Sequence, residues 1–439
     1  MKNIRFLRTI SLILLAFTCI SYTVIAQSTA QEMASRMTRG INMGNTFDAE
    51  NYEGGWAPIA KEAYFDAYKD AGFQCIRIPI TWGAQMSKYD STPRISNEAP
   101  YTIQPEFLKR IDSVVNWSLE RGFVTVINIH HDSWLKSRHL FDERKERFYS
   151  LWEQLAEHYK DYPEELLFEI VNEPHHSTDG EEDGLTVEQL DGLNKKTLSI
   201  IRKTNPTRVT IYTGPTWSGL HDLKKITPPV KNDKYLMATY HSYSPWSFAG
   251  EGIGSWGTDK DKKAMEQEFI DQEAYGKEFN VPVFIGEYGC DHRATYNERM
   301  LHYAYYVENI QKYKVAATAW DDGGYLFKVY DRDAAMWDDA KDILVNYGPT
   351  SPNELSLKVN DGLTITIDWK NRADNISKVT IERRVGRDGN FDAIKTIDAA
   401  ETYTDETKKH ERTYYYYRVV NELSDGSKLI SYPRRMYLP

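Results

Sequence analysis

Cysteine is scarce in this chain: three residues in 439. Such a chain is not a disulfide framework, and its core must hold itself together by packing. Positive charge is also short. Lys and Arg total 54 against 64 Asp and Glu, a net charge of −10. That balance lacks the basic surface of a nucleic-acid binder. Beyond the first 26 residues no apolar run is long enough to cross a bilayer, so no membrane span is expected in the mature chain. There is no internal repeat and no low-complexity tract, which excludes solenoids and long linkers. No Gly-rich phosphate loop follows the first strand-like run, which argues against a doubly wound nucleotide-binding sheet.

The first 26 residues have their own pattern. Lys2, Arg5 and Arg8 precede the apolar run Ile10 to Ile20, and Val24-Ile25-Ala26 ends in a small residue. This reads as a secretory signal cleaved after Ala26, with export to the periplasm, cell surface or exterior. The residues before Cys19 are not the small set that lipidation requires. Loss of the three basic residues leaves a mature charge of about −13, which suits a neutral partner. Cys75 and Cys290 then remain, read as two buried thiols.

Eight short apolar runs follow, at about 40–43, 75–79, 124–129, 166–171, 209–212, 236–240, 283–285 and 316–320. Segments with helical spacing separate them, such as Phe107, Ile111, Val114, Val115 and Leu119. Strand and helix alternating eight times predict a closed (β/α)₈ barrel over 27–349. After Thr350-Ser351-Pro352-Asn353 the period becomes two, with Leu363, Ile365, Ile367 and Trp369 on one face. About seven such strands, with turns at Asp388-Gly389 and Asp425-Gly426, predict a small all-β sandwich over 350–439 that is similar to a fibronectin type III domain. Tyr414 and Tyr416 fall on the face away from its core, which reads as a solvated face, with glycan contact as the alternative.

Two of the barrel runs end in glutamate: Phe168-Glu169-Ile170-Val171-Asn172-Glu173-Pro174 and Phe284-Ile285-Gly286-Glu287-Tyr288-Gly289. The carboxyl ends of barrel strands are where catalytic groups are mounted. Two facing carboxylates there suit acid and nucleophile in glycosidic cleavage. Either glutamate alone reads equally well as a strand-end ion pair. Their companions change the balance. Arg77 lies inside an apolar strand and needs a buried anion, for which an ionised nucleophile would serve. His130 and His131 end the third run, His241 and Tyr243 the sixth, and Trp320 the eighth. A tryptophan face is apolar enough to floor a pyranose ring. Adjacent histidines on an extended strand point to opposite faces, so His130, His131 and Asp132 make a poor chelate, and so do His175 and His176. No metal and no cofactor is expected. Asp331-Arg332-Asp333 reads as a solvated loop. Trp56, Trp82, Trp134, Trp217, Trp246 and Trp256 are candidates for lengthening the cleft.

These motifs together resemble glycoside hydrolase family 5. They are Gly40-Ile41-Asn42-Met43-Gly44-Asn45-Thr46-Phe47-Asp48, Ile76-Arg77-Ile78-Pro79, His130-His131, Asn172-Glu173-Pro174, His241-Ser242-Tyr243, Gly286-Glu287-Tyr288-Gly289 and Trp320. The resemblance implies Glu173 as acid/base and Glu287 as nucleophile, with Arg77 and Tyr243 orienting Glu287. It implies Asn172 on the sugar 2-hydroxyl, His130 and His241 binding sugar or tuning the acid, and Trp320 as platform, with His131 in the cleft or supporting it. It further implies a secreted, retaining endo-β-1,4-glucanase, acting as a monomer on cellulose-like, mixed-linkage or xyloglucan chains. β-Mannan is the nearest alternative substrate. A non-catalytic glycan-binding protein is the alternative of another class and predicts a lost glutamate.

Overall fold

A computed structural model describes residues 28–438, apart from 133, 176, 179–180, 183, 361–363 and 407–411. The expected export signal lies outside the described residues, as do His176 and Leu363. Eight parallel strands close a barrel: β1 (Gly40–Asn42), β2 (Cys75–Ile78), β3 (Val124–Asn128), β4 (Leu166–Glu169), β5 (Thr210–Thr213), β6 (Leu236–Ser242), β7 (Val283–Tyr288) and β8 (Ala316–Ala319). Each strand pairs with its sequence neighbours, and β8 closes on β1. All eight fall where the apolar runs predicted, with ends shifted by a residue or two, except that β7 runs on through Glu287 and Tyr288.

The connecting helices are amphipathic. The helix Pro105–Glu120 starts on a proline, which has no N–H to leave unsatisfied, and buries Phe107, Ile111, Val114 and Val115. The helix Val187–Thr204 is opened by a capping box between Thr186 and Gln189. Their apolar faces pack on the outside of the strands, where most of the core lies.

Inside the barrel, composition changes along the axis. At the amino-terminal end, Cys75, Val124, Val126, Leu167, Ile211, Met237, Phe284 and Ala316 form an apolar cluster. The helix Ala30–Ser35, capped by Thr29 and Glu32, closes that end with Met33 and Ala34. Cys75 and Cys290 are free and buried. One residue pair further up the same strands, the interior turns polar.

Two antiparallel sheets follow the barrel. One has β9 (Asn353–Asn360) and β10 (Thr364–Lys370) with β13 (Thr402–Glu406). The other has β11 (Ile376–Val385), β12 (Asp392–Ile397), β14 (Thr413–Leu423), β15 (Lys428–Ile430) and β16 (Arg434–Leu438). Among the described residues that is eight strands, one more than the turn signals predicted. Ile365, Ile367, Val379, Ile381, Tyr415 and Tyr417 are buried, as the period of two requires.

Tyr416 corrects the expectation of a solvated face. Only 2% of it is exposed. It packs edge-on to Tyr296 of a barrel helix, under the Arg384 guanidinium. Arg384 pairs with Asp339 at 2.6 Å, Arg418 with Asp342 at 2.6 Å and Arg372 with Glu308 at 2.8 Å. Asn297 exchanges two hydrogen bonds with the Arg435 backbone. That tyrosine face is turned to the barrel because the barrel supplies the acidic partners its arginines need.

Candidate active site

The site is organised by Arg77. Position 75 on β2 points into the barrel, so position 77 does too. The guanidinium is fully buried, and each of its five N–H groups has an acceptor. Nε and one terminal nitrogen fork onto Glu169 at 2.6 and 2.8 Å. The remaining bonds go to Glu287 Oε1 at 2.8 Å, Asn42 Oδ1 at 3.0 Å and Asn172 Oδ1 at 2.8 Å. Burial alone would depress the arginine, but Glu169 and then Glu287 outweigh it and hold the pKa above its ordinary value. The expected anionic partner, Glu287, is therefore one of two. Glu169 takes the bidentate position, because β3 alone separates β2 from β4 and both side chains enter the same layer.

Glu287 reaches the site through a bulge. Tyr240 pairs with Ile285 but His241 pairs with Glu287, so β7 carries one extra residue at Gly286, and its pairing with β8 shifts there as well. Without it, Phe284 pointing inward would send position 287 outward. Gly286 permits the bulge because a Cβ there would lie 2.9 Å from Thr239 Oγ1 and 3.0 Å from His241 Nε2. The Glu287 carboxylate receives Arg77 on Oε1 and the Tyr243 hydroxyl on Oε2, the latter at 2.9 Å. Burial first, then Glu287, raises the Tyr243 phenol well above its ordinary range, so it stays a donor.

Glu173 lies beyond the end of β4, where Pro174 keeps the chain extended. Its carboxylate accepts from His241 Nδ1 at 2.7 Å, and the same nitrogen is 3.7 Å from Glu287. A carboxylate oxygen of each glutamate and a ring nitrogen of His241 all lie within 4.8 Å of one another. The Glu173 side chain is 18% exposed and that of Glu287 7%, so Glu173 faces the opening. Burial lowers the His241 pKa, but Glu287 and Glu173 more than offset it and the net direction is up. His130 is held well below its usual value, first by burial and then by His131 and Arg77. Burial, with Lys136, pushes His131 down to about 3. Both rings are neutral at ordinary pH.

A cleft of about 990 Å³ opens over these groups, lined by His130, His131, Asn172, Glu173, His241, Tyr243, Glu287 and Trp320. Of the predicted site residues, the structure brings all but Arg77 to this wall; Arg77 lies beneath it. Trp320 has its ring parallel to His130, with centroids 5.9 Å apart. Trp217 and Trp246 line the cleft, and Trp56 reaches it through His131 at 5.7 Å. Three of the tryptophans do not lengthen it. Trp82 is fully buried, Trp256 is 3% exposed in another part of the barrel, and Trp134 donates to Asp132 at 2.8 Å. Asp132 also accepts from the Trp82 and Gly83 backbone, so it staples two loops.

Several residues escaped the sequence reading. Glu169 is one; its signal was the same as that of Arg77, a charge inside an apolar strand. Arg332 is another. It is no part of a solvated loop but is buried, paired with Asp321 at 2.9 Å and bonded to the Gly44 carbonyl at 2.9 Å. That pins the loop after Trp320 to the loop after β1. Asp48 accepts from the backbone of Asn45 and Thr46, and burial lifts its pKa to about 7. Among the described residues, two groups have donors close enough for a metal, Glu173 with His241 and Glu287, and Asp48 with His130 and His131. In both, hydrogen bonds already engage the carboxylates.

Comparison with known proteins gives the barrel a family. The sequence model of Cellulase (glycosyl hydrolase family 5) matches residues 40–325. The chain is 39% identical over 307 residues to Endoglucanase H of Acetivibrio thermocellus, covering 70% of this chain and 31% of that protein. It is 31% identical to Endoglucanase A of Clostridium longisporum, covering 72% and 65%. The chain thus spans between about a third and two thirds of those relatives' lengths. The crystal structure of endoglucanase Cel5A from Thermotoga maritima superposes with a TM-score of 0.65 at 33% identity, over 72% of this chain and all of that one. A tri-modular endo-β-1,4-glucanase of the same family from Bacillus licheniformis, complexed with cellotetraose, reaches 0.73 at 26% identity over 92% of this chain and 78% of its own.

Proposed function

We propose that this chain, which belongs to glycosyl hydrolase family 5, is an exported endo-β-1,4-glucanase that cleaves internal bonds with retention of configuration. The observation that carries this reading is the approach of Glu173 and Glu287, whose carboxylate oxygens come within 4.8 Å. Retaining glycosidases hold their carboxyl groups about 5 Å apart, whereas inverting ones leave room for a water at about 6.5–9.5 Å.

The two steps follow from the hydrogen bonds. Arg77 and Tyr243 each donate to one oxygen of Glu287, which aims it for attack on the anomeric carbon. Glu173, nearer the opening, protonates the leaving oxygen as the C1–O bond breaks and Glu287 forms the glycosyl ester. Glu173, now a carboxylate, takes a proton from water, which attacks C1 and releases Glu287. His241 bridges the two carboxylates and suits charge that moves between them. Asn172, its Oδ1 held by Arg77, presents its amide to the sugar 2-hydroxyl, and Trp320 offers the ring face beneath. No cofactor enters these steps.

Lys2, Arg5, Arg8 and the apolar run after them support export, with the mature chain divided at about 349/350 into catalytic barrel and sandwich. The relatives' names and the cellotetraose complex support a β-1,4-glucan. Cel5A of Thermotoga maritima has also been solved with mannotriose, which keeps β-mannan as the competing substrate. The test is a panel of purified β-glucan, xyloglucan and mannan, with products sized and their anomers followed by NMR. Early formation of mid-length β-anomeric products from a β-1,4-glucan is the expected result. Products of inverted configuration, or cleavage of mannan alone, would overturn it.

A further inference from the structure

Three large apolar side chains stand in solvent beside the barrel mouth. Tyr89 is 92% exposed, Ile59 55% and Trp56 43%. They line one trough of about 570 Å³, edged by Lys88 and Asp333. Tyr89 sits at the tip of an antiparallel hairpin whose strands are Gln85–Ser87 and Asp90–Pro93. A hairpin that carries a nearly uncovered aromatic at its tip, next to an exposed tryptophan and isoleucine, forms an apolar patch of the kind that marks a binding surface.

The trough continues the cleft. Trp320, His130, His131 and Trp56 form a line of rings with successive centroids 5.9, 4.3 and 5.7 Å apart. His131 belongs to the cleft and Trp56 to the trough. Direction follows from the acid. Glu173 is bonded to His241 on β6, and the cleft wall on that side carries Trp217, Leu220 and Trp246. A leaving group protonated by Glu173 extends that way. The ring line from Trp320 runs the other way, over the loops after β1 and β2.

We propose that the trough formed by Trp56, Ile59 and Tyr89 is a distal glycone subsite, which holds the non-reducing part of the same β-1,4-glucan chain several sugars from the cleavage point. The proposal rests on the endoglucanase reading and adds to it the side and the residues that grip a long chain. Pyranose rings present apolar C–H faces to Tyr89 and Trp56, while Lys88 and Asp333 meet hydroxyls at the edge.

The test uses reducing-end-labelled cellohexaose and a chromogenic cellobioside too short to reach the trough. The ratio of kcat/KM on the two substrates is compared between wild type, Tyr89→Ala and Tyr89→Phe. The short substrate corrects for the folded fraction. In Tyr89→Ala the ratio falls about fivefold or more, the labelled products become longer, and Tyr89→Phe restores both. An unchanged ratio, or labelled products that become shorter, overturns the subsite. So does loss of a dimer in Tyr89→Ala with the ratio intact, since the patch would then serve a second copy. Failure of the wild type to cut cellohexaose at all would instead sink the endoglucanase reading.

Discussion

The two halves of the barrel interior are built from the same strands and behave as different materials. On β2 the inward residues are Cys75 below and Arg77 above. On β3 they are Val126 and Asn128, on β4 Leu167 and Glu169, and on β6 Met237 and His241. The lower set is an apolar plug sealed by Met33 and Ala34. The upper set is a buried network in which Arg77 alone makes five hydrogen bonds. On β2, β3 and β4 two residues carry the chain from one to the other, about 7 Å, and on β6 four do. Stability and reactivity thus occupy separate layers, and each can be perturbed with the other as a reference.

The largest expected effect is in the upper layer. Glu287→Ala lowers kcat on the order of 10⁴-fold, lowers Tm as well because it too takes a carboxylate from buried Arg77, and azide restores turnover with inverted product. No rescue by azide would remove Glu287 from the nucleophile's role. Glu173→Gln comes next: about 10³-fold slower cleavage of polysaccharide, with a far smaller loss on aryl glycosides whose leaving groups need no proton. Equal losses on both substrate types contradict the acid assignment.

Glu169→Gln joins the two properties. It leaves Arg77 with one carboxylate instead of two, and removing a member of a buried ion pair typically costs about 3 kcal/mol or more. We expect denaturant unfolding to show that loss and kcat to fall with it, because Arg77 also positions Glu287 and Asn172. Intact stability would mean that Glu287 alone satisfies the guanidinium. Leu167→Ala, two residues lower on the same strand, separates the layers cleanly. It opens a cavity worth about 2–5 kcal/mol of stability and leaves kcat of the folded fraction within about twofold. A large drop in kcat would show that the plug and the network are coupled.

The smallest effect concerns pH. His131 is neutral in the fold down to about 3, whereas an unfolded histidine takes up a proton near pH 6.5. The unfolded state therefore binds more protons across that window, so this residue's contribution to stability is lost as pH falls from about 6.5 towards 3. His131→Gln should make the fall in Tm between pH 6.5 and 4.5 shallower by about 2 °C. An unchanged slope would show that His131 is protonated in the fold.

The contrast between layers also explains what could be read in advance. Apolar runs and helical spacing are local signals, so the eight strands and the period-two strands of the sandwich were legible. Glu173, Glu287, His130, His241 and Trp320 were legible because polar or aromatic residues at strand ends violate an otherwise apolar pattern. Glu169 carries the same signal, but four residues away a second glutamate before proline carries a stronger one and masks it. Arg332 and Tyr416 were misread for a different reason. Each sits in a segment that looks solvated, and each is buried by a partner far away in the chain, the Gly44 loop in one case and a barrel helix in the other.

By itself, the order of residues determined a barrel with a β-sandwich after it and the chemical types available at its mouth, because burial and strand period act within a few residues. Only the tertiary structure decided who meets whom. The bulge at Gly286 turns Glu287 inward, β4 brings Glu169 to Arg77 before Glu287 can claim it alone, and the sandwich turns its tyrosines to the barrel. Each of these depends on pairing across strands or domains, where distance along the chain carries no information about distance in space.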